Sequence, residues 1–430
     1  MTDLCQRIGD WAAAFRVDAL RASRVRVLVR DFAACVAAGS TRAELAPALL
    51  LTRPGIVSVW GRPERFDMPS AALVCGTAGS LLQLHDIYVP AMLHPSCAVV
   101  AAAWAARGGR SMPGSQFVNA VAAGYEVCNR LADAMRSGKG RSSSVATATA
   151  GALGAAVASA LVRDGSAMQV ARALSLVPLL MPVTPVAAVR VHADAVALHG
   201  GLAARAAVEA ALLAAELQNV SRVLEGDDTV AGYWQVLCGG QVAVAPDQWD
   251  GSTLDAVIGK RWPGCFGAYA ALEAVLNGDA PQADEITAVR IGLPGRLLPM
   301  VELGPTTGLL YDRLMSVRWL VARALERRRL AWDDLDGAAR TDRLAARIEL
   351  HHAALLDGLD PSLLAANVEI ETGSSLRFSR QWQRALTDLQ PRERSTLMQD
   401  EAQAWRQKYQ ALTAAFPDLN ATLAGLLDEE

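Results

Sequence analysis

Through most of the first 250 residues, apolar positions recur every three to four residues, the period of an amphipathic helix. In QFVNAVAAGYEVCNRLADAM the residues Phe117, Val121, Tyr125, Cys128, Leu131 and Met135 define one such face. Ser166 and Gln169 have the spacing of a capping box opening AMQVARALSLVPLLM. Pro178, Pro182 and Pro185 then predict a break or kink. A longer helix is predicted from about Leu198 to Leu217, where Gly200, Gly201, Ala203 and Ala204 would let neighbours approach closely. The Gly/Asp-rich stretch 220–256 reads as a connection.

After about residue 257 the period changes. EITAVRIGLP alternates at Val289, Ile291 and Leu293, the mark of a half-buried strand. NVEIET and SLRFSR alternate through Val368/Ile370 and Leu376/Phe378 around Gly373-Ser374 and read as a hairpin. RIELHH suggests another strand, and YDRLMSVRWLVARALERRR a helix. Helical patterning returns from about residue 395, in QDEAQAWRQKYQALTAAF. The expected fold is mainly α: a large helical domain (1–256 and 395–430) with a smaller α+β domain (257–394) between its parts.

Composition sharpens this picture. The chain is 52% hydrophobic but only 5% aromatic, and alanine supplies much of the difference, which favours closely packed helices. A net charge of −3 without a Lys/Arg block argues against nucleic acid as partner. Seven cysteines lie scattered without a CxxC pair, as expected of reduced thiols in a cytoplasmic protein. The charged N-terminus is unlike a signal peptide. The longest uncharged stretch, Ser142 to Val162, is Ala/Ser/Thr/Gly-rich and reads as a buried helix rather than a membrane span.

The candidate chemistry concentrates in HDIYVPAMLHPS. It places His85, Asp86, Tyr88 and His94 within ten residues, between two very apolar segments. Polar groups in such surroundings need partners or a function; the plainer reading is a hydrogen-bonded loop capping the helix after Pro95. Of the other histidines, His351 and His352 sit in a strand where one would face solvent. His192 and His199 flank the alanine-rich helix; His199 could face the pocket, although a structural role is the commoner one for such a residue. No metal-ligand spacing, GxGxxG, GxxxxGK[ST] or GxSxG motif occurs. What remains is cofactor-free acid–base chemistry beside a cation that holds a carboxylate.

In their order, GTAGSLLQLHDIYVPAMLHPS, GSQFVNAVAAGYEVCNR, TAGALGAAVASALV, LHGGLAARAAVEAALLA, KRWPGCFGAYAALEAV and SVRWLVARAL resemble the MmgE/PrpD family over nearly the whole chain. HPS (94–96), GYEV (124–127) and KRWP (260–263) are the most specific pieces. The family includes 2-methylcitrate dehydratase and cis-aconitate decarboxylase. The resemblance implies an all-helical domain with an inserted α+β lid, a homodimer, no cofactor, and proton transfer next to a carboxylate. It makes His94 an acid/base, Asp86 one of the family's acidic residues and Lys260 the cation at the start of the lid. Leu84 and Tyr88 stand where an aspartate and a threonine are common.

Other positions depart from the family. Its second histidine falls on Val145, a lysine on Val196, and a tyrosine of the lid helix on Trp319. Lys139 or Arg141 would stand in if the loop before Val145 is shifted. Losing a charged hydrogen-bond partner costs about 1.5–3 kcal/mol, so citrate-like substrates would suffer. The expected function is a diverged lyase or isomerase of a more apolar carboxylate, by dehydration, isomerisation or cyclisation, with specialised metabolism as its expected setting. In that reading His94, Asp86 and Lys260 carry the catalysis. His85, Tyr88, Val145, Val196, His199, Arg318 and Trp319 line the substrate. A conventional dehydratase or decarboxylase and a non-catalytic binding protein are the alternatives.

Overall fold

The alanine-rich segments form helices, and their small residues set how closely these meet. The structure, a computed structural model, describes residues 3–137, 144–218, 223–301, 308–337, 339–359, 364–373 and 375–384, with 408, 410–411, 414–416, 419, 423 and 426–427. Gly114–Ser137 carries the predicted apolar face, all six residues of which are buried. It packs against Ala150–Leu161, where a Cβ added to Gly154 would lie 2.2 Å from the Gly124 carbonyl oxygen. Met68–Leu81, Ser96–Ala106 and His199–Leu213 meet in the same way. A Cβ on Gly201 would come within 2.3 Å of both the Leu73 carbonyl oxygen and Thr77 Oγ1. The Gly-Gly pair after His199 is therefore a packing device that brings the start of this helix against its neighbours.

Local signals read from the sequence hold at several points. Ser166 and Gln169 form the capping box of Ala167–Leu176. Pro178 sits in the 3-10 turn that ends this helix, and Pro185 immediately precedes Val186–Arg190. The helix predicted from 198 to 217 spans His199–Leu213, with a 3-10 turn at Asp194–Leu198 before it. Asp194–Leu213 is long and apolar enough to cross a membrane, but 67% of it is buried inside the protein, as in a core helix. Ala150–Leu161, within the uncharged stretch, is buried over nearly its whole length. The stretch 220–256 is more than a connection: its described part contains the helix Tyr233–Cys238 and two 3-10 turns.

Two short ladders have no counterpart in the sequence reading. Strand β1 (Pro54–Ser58) pairs with β2 (Arg65–Phe66), and β3 (Ile87–Tyr88) with β4 (Val257–Ile258). The second ladder joins the candidate loop to the start of the α+β region. Beyond it, β5 (Ile286–Leu293), β6 (Ile348–His352), β7 (Leu364–Thr372) and β8 (Ser375–Arg384) form a mixed sheet in the order β6-β5-β7-β8. β5 and β6 are parallel, and the other neighbours are antiparallel. The predicted hairpin forms, with Ile370 opposite Phe378 and Gly373 at φ +61°, a conformation that glycine adopts without a Cβ penalty.

The single helix expected over YDRLMSVRWLVARALERRR is two, Leu310–Met315 and Val317–Arg327. Ser316 causes the break: its Oγ accepts the Trp319 amide at 3.2 Å and caps the second helix. This second helix packs on Tyr269–Leu276, which in turn covers β7 and β8. The predicted terminal helix from about residue 395 lies largely outside the described residues, as do Lys139 and Arg141.

Candidate active site

The β3–β4 ladder explains how distant residues meet. Ile87 pairs with Ile258 and Tyr88 with Val257 in antiparallel register. Continued two residues further, that register sets His85 across from Lys260. Both are buried, His85 at 1% exposure and Lys260 at 0%. Tyr88 closes the loop on itself through an isolated bridge to Leu93, which turns the chain back and delivers His94 beside His85. The two imidazoles lie 4.7 Å apart, centroid to centroid, at 45°.

Main-chain atoms fix the orientation of His94. Its Nδ1 is 2.8 Å from the Asp86 carbonyl oxygen. A carbonyl only accepts, so this nitrogen carries the proton and Nε2 is left as the basic lone pair. The His94 amide donates to Thr147 Oγ1 at 3.1 Å. The Asp86 side chain is engaged elsewhere: Oδ1 accepts from the Ser96 amide (3.1 Å) and hydroxyl (2.6 Å), and Oδ2 from the Tyr125 hydroxyl (2.7 Å). Asp86 thus meets His94 through its main chain, and its carboxylate anchors the loop.

Burial governs the electrostatics. Desolvation, followed by the neighbouring charge of Lys260, lowers His94 to about 3. Desolvation lowers His199 to about 4. His85 is held well below the usual imidazole value by burial and then by His94, Lys260 and His199. All three rings are therefore neutral near pH 7. Burial also lowers Lys260 to about 7, against weaker opposite pulls that include Asp86. Asp86 is pushed up to about 6 by burial, despite its hydrogen bonds from Ser96 and Tyr125. His94 keeps partial solvent access as a residue although protein surrounds the ring.

The cluster contains several polar atoms without partners. Lys260 Nζ, both ring nitrogens of His85 and Nδ1 of His199 are buried and make no hydrogen bond. Native interiors rarely leave such atoms unmatched, and each costs about 1–3 kcal/mol. Four of them in one place single out this cluster as the candidate site.

The other predicted residues divide into two groups. His199 opens its helix within the cluster, and Val196 is buried in the turn just before it. Val145 is half-buried and stands two residues before Thr147, which holds the His94 amide. Tyr88 is buried, with its hydroxyl donating to Asp133 at 2.6 Å. The indole N–H of Trp319 donates to Asp342 at 3.1 Å, and its ring is fully buried between its own helix and that partner. Arg318, on the same helix, is half-buried.

Five residues at the site escaped the sequence reading of roles: Ser96, Tyr125, Thr147, Asp31 and Lys408. Ser96 and Tyr125 belong to HPS and GYEV, motifs used there only for their resemblance. Asp31 carried a usable signal, an acid inside the apolar run DFAACVAAG. Lys408 carried none, being one of many charges in its segment.

Among the described residues, no three His, Cys, Asp or Glu side chains converge as a metal-ligand set. All seven cysteines are buried and unpaired. Two clefts, of about 510 Å³ beside Arg26 and Asn119 and about 550 Å³ beside Trp60 and Phe416, contain none of the cluster's residues. No curated protein matches the chain. Residues 6–244, more than half of the chain, match the MmgE/PrpD N-terminal domain. They include the loop 85–96, Tyr125, Thr147 and His199. The chain belongs to the MmgE/PrpD family.

Proposed function

We propose that this protein is a cofactor-free lyase or isomerase that moves a proton on a carbon next to a carboxylate, in a substrate less charged and more apolar than citrate-like acids. The observation that carries this reading is Lys260: a buried amine with no hydrogen-bond partner, 6.0 Å from the Tyr269 ring centroid and beside three neutral imidazoles. Burying an ammonium without a counter-charge is costly, so at neutral pH the group favours an anion whose binding draws a proton from water onto the amine. A substrate carboxylate is such an anion, and binding it would hold Lys260 in its charged form.

His94 Nε2 is then the base. It takes the proton from the carbon beside the carboxylate, and the electron pair moves onto that group as an enediolate facing the Lys260 ammonium. In isomerisation the proton returns to a different carbon. In dehydration the neighbouring hydroxyl leaves as water, taking a proton with it. In cyclisation the carbanion attacks a carbonyl or conjugated alkene carbon of the same molecule, whose π pair moves to the neighbouring atom and takes back the proton held by His94. Asp86 contributes by holding the loop and, through its carbonyl, the His94 tautomer. Val145 and Val196, where relatives are expected to carry a histidine and a lysine, support the more apolar substrate. Arg318 and Trp319 have no role in this scheme.

The test is proton exchange in deuterated water, followed by NMR. Cis-aconitate and 2-methylcitrate would be compared with apolar unsaturated mono- and dicarboxylates. The expected result is deuterium uptake into the apolar acids that disappears in His94→Ala. Comparable uptake into both tricarboxylates would restore the conventional dehydratase or decarboxylase reading. Ligand-induced thermal stabilisation without any exchange would mark a binding protein.

A further inference from the structure

We propose that Lys408 is a positioning residue of this site, a strap whose single ammonium ties together the two main-chain segments that carry His85 and Lys260. The inference rests on the reading of the cluster as an acid–base site. Lys408 Nζ donates to the Leu84 carbonyl at 2.9 Å and to the Lys260 carbonyl at 3.2 Å, and it pairs with Asp31 Oδ1 at 2.5 Å. Two of its N–H donors thus serve main-chain oxygens from separate parts of the chain, and Asp31, from a third part, pairs with its charge. Leu84 directly precedes His85, and Asp31 lies on the buried face of Ala19–Ser40.

The position of the strap explains why a cation is used. The β3–β4 ladder stops at Ile87 and Ile258. Past that point, the carbonyls of Leu84 and Lys260 face partners that neither strand supplies, and a buried carbonyl needs a donor. Lys408 supplies both bonds and so extends the ladder to the residues that carry the chemistry. Asp31 balances its charge, and the side chains are 8% and 3% exposed. Burial opposes the charge on Lys408, but Asp31 together with Cys35 keeps its amine above the usual value; burial in turn raises the Asp31 carboxyl against the pull of Lys408. Buried ion pairs of this kind are often no more stabilising than an apolar pair of similar volume, so stability alone does not account for it. What an apolar pair would lack is the two hydrogen bonds behind the site and the positive charge next to Lys260. The charged and titratable groups bearing on Lys260 are Cys265 on its own segment, Lys408, Cys35 on Ala19–Ser40 and Asp86 before β3, with His85 and His94 alongside.

The experiment uses the full chain. Lys408→Met alone strands Asp31 and can unfold the protein, so the main variant is Asp31→Leu/Lys408→Met, which removes both charges. The first readout needs no substrate: ¹³C NMR of protein labelled at lysine Cε, with the Lys260 signal assigned from Lys260→Met. The expected result is an upward shift of the Lys260 titration midpoint in the double variant, together with displaced His85 and His94 ring signals. The second readout is turnover of whichever acid shows proton exchange. Here kcat falls by about a hundredfold, the scale of a misplacement near 1 Å, with KM little changed and partial rescue in Lys408→Arg. A folded double variant with the native Lys260 midpoint, native ring signals and native kcat would overturn the proposal. If no acid is turned over, the substrate-free titration still decides the role of Lys408 separately from that of His94.

Discussion

Five of the six histidines form two sets in opposite conditions, while the sixth, His192, is buried and paired with Asp312 at 2.9 Å. His85, His94 and His199 are enclosed by the helices and the β3–β4 ladder and neutral, and His85 and His199 are short of hydrogen-bond partners. His351 and His352 stand exposed on β6 at the edge of the sheet, and His352 Nε2 meets Asp357 at 2.5 Å. The exposed pair is complete, because water and a carboxylate satisfy it, and a surface pair of this kind adds at most about 1 kcal/mol. The buried set is incomplete. In both places the residue is histidine; what differs is whether the fold has withheld its partners, and that difference separates a site from a solvated edge.

Breaking the comparison has its largest effect on rate. Removing the base in His94→Gln should lower turnover of an exchanging acid by roughly 10²–10⁴-fold, while His352→Gln leaves steady-state kinetics unchanged. Equal losses in both variants would erase the distinction. The next effect is on stability. Asp86→Asn sets an amide against donors from Ser96 and Tyr125, and a cost of about 1.5–3 kcal/mol is expected, measurable by urea unfolding. Its counterpart Asp357→Asn should lose less than about 1 kcal/mol.

The smallest effect sharpens the comparison through pH. His94 and His199 have folded-state values of about 3 and about 4, below the 6.5 of a free imidazole. The unfolded chain therefore binds more protons than the folded one in this interval. Stability from these groups is fully present above about pH 6.5 and is lost as the pH falls towards 4 and then 3. Asp86, raised from 3.8 to about 6, acts in the opposite sense and loses its contribution as the pH rises through 6. Urea titrations from pH 7 to 4 should show a net acid loss that flattens in His199→Gln. A slope unchanged by that substitution would show that His199 titrates as a solvated residue.

Much of the fold was legible because its signals are local. Helical periodicity at 117–135, the Ser166/Gln169 cap and the 364–384 hairpin depend on residues a few positions apart, and backbone geometry ties those spacings to particular elements. The break at Ser316 was less visible, since one capping hydroxyl overrode a pattern that reads as a single continuous helix. The site was legible in its loop: His85, Asp86 and His94 stood out as polar residues between apolar segments, and Lys260 entered through the family resemblance. By itself, then, the sequence determined a mainly helical member of the MmgE/PrpD family and singled out residues 85–96 as its candidate site. Only the tertiary structure decided what those residues face. The two-residue β3–β4 ladder is too short to leave a periodic signal, yet it sets Lys260 opposite His85. Lys408 reaches the Leu84 carbonyl from 324 positions away, and no local pattern encodes that pairing. Trp319 and Arg318 were assigned to the pocket by their place in the chain, whereas the partner of the Trp319 indole, Asp342, is fixed by how two helices pack. Partners are set by where helices cross and ladders stop, and that depends on the packing of the whole chain.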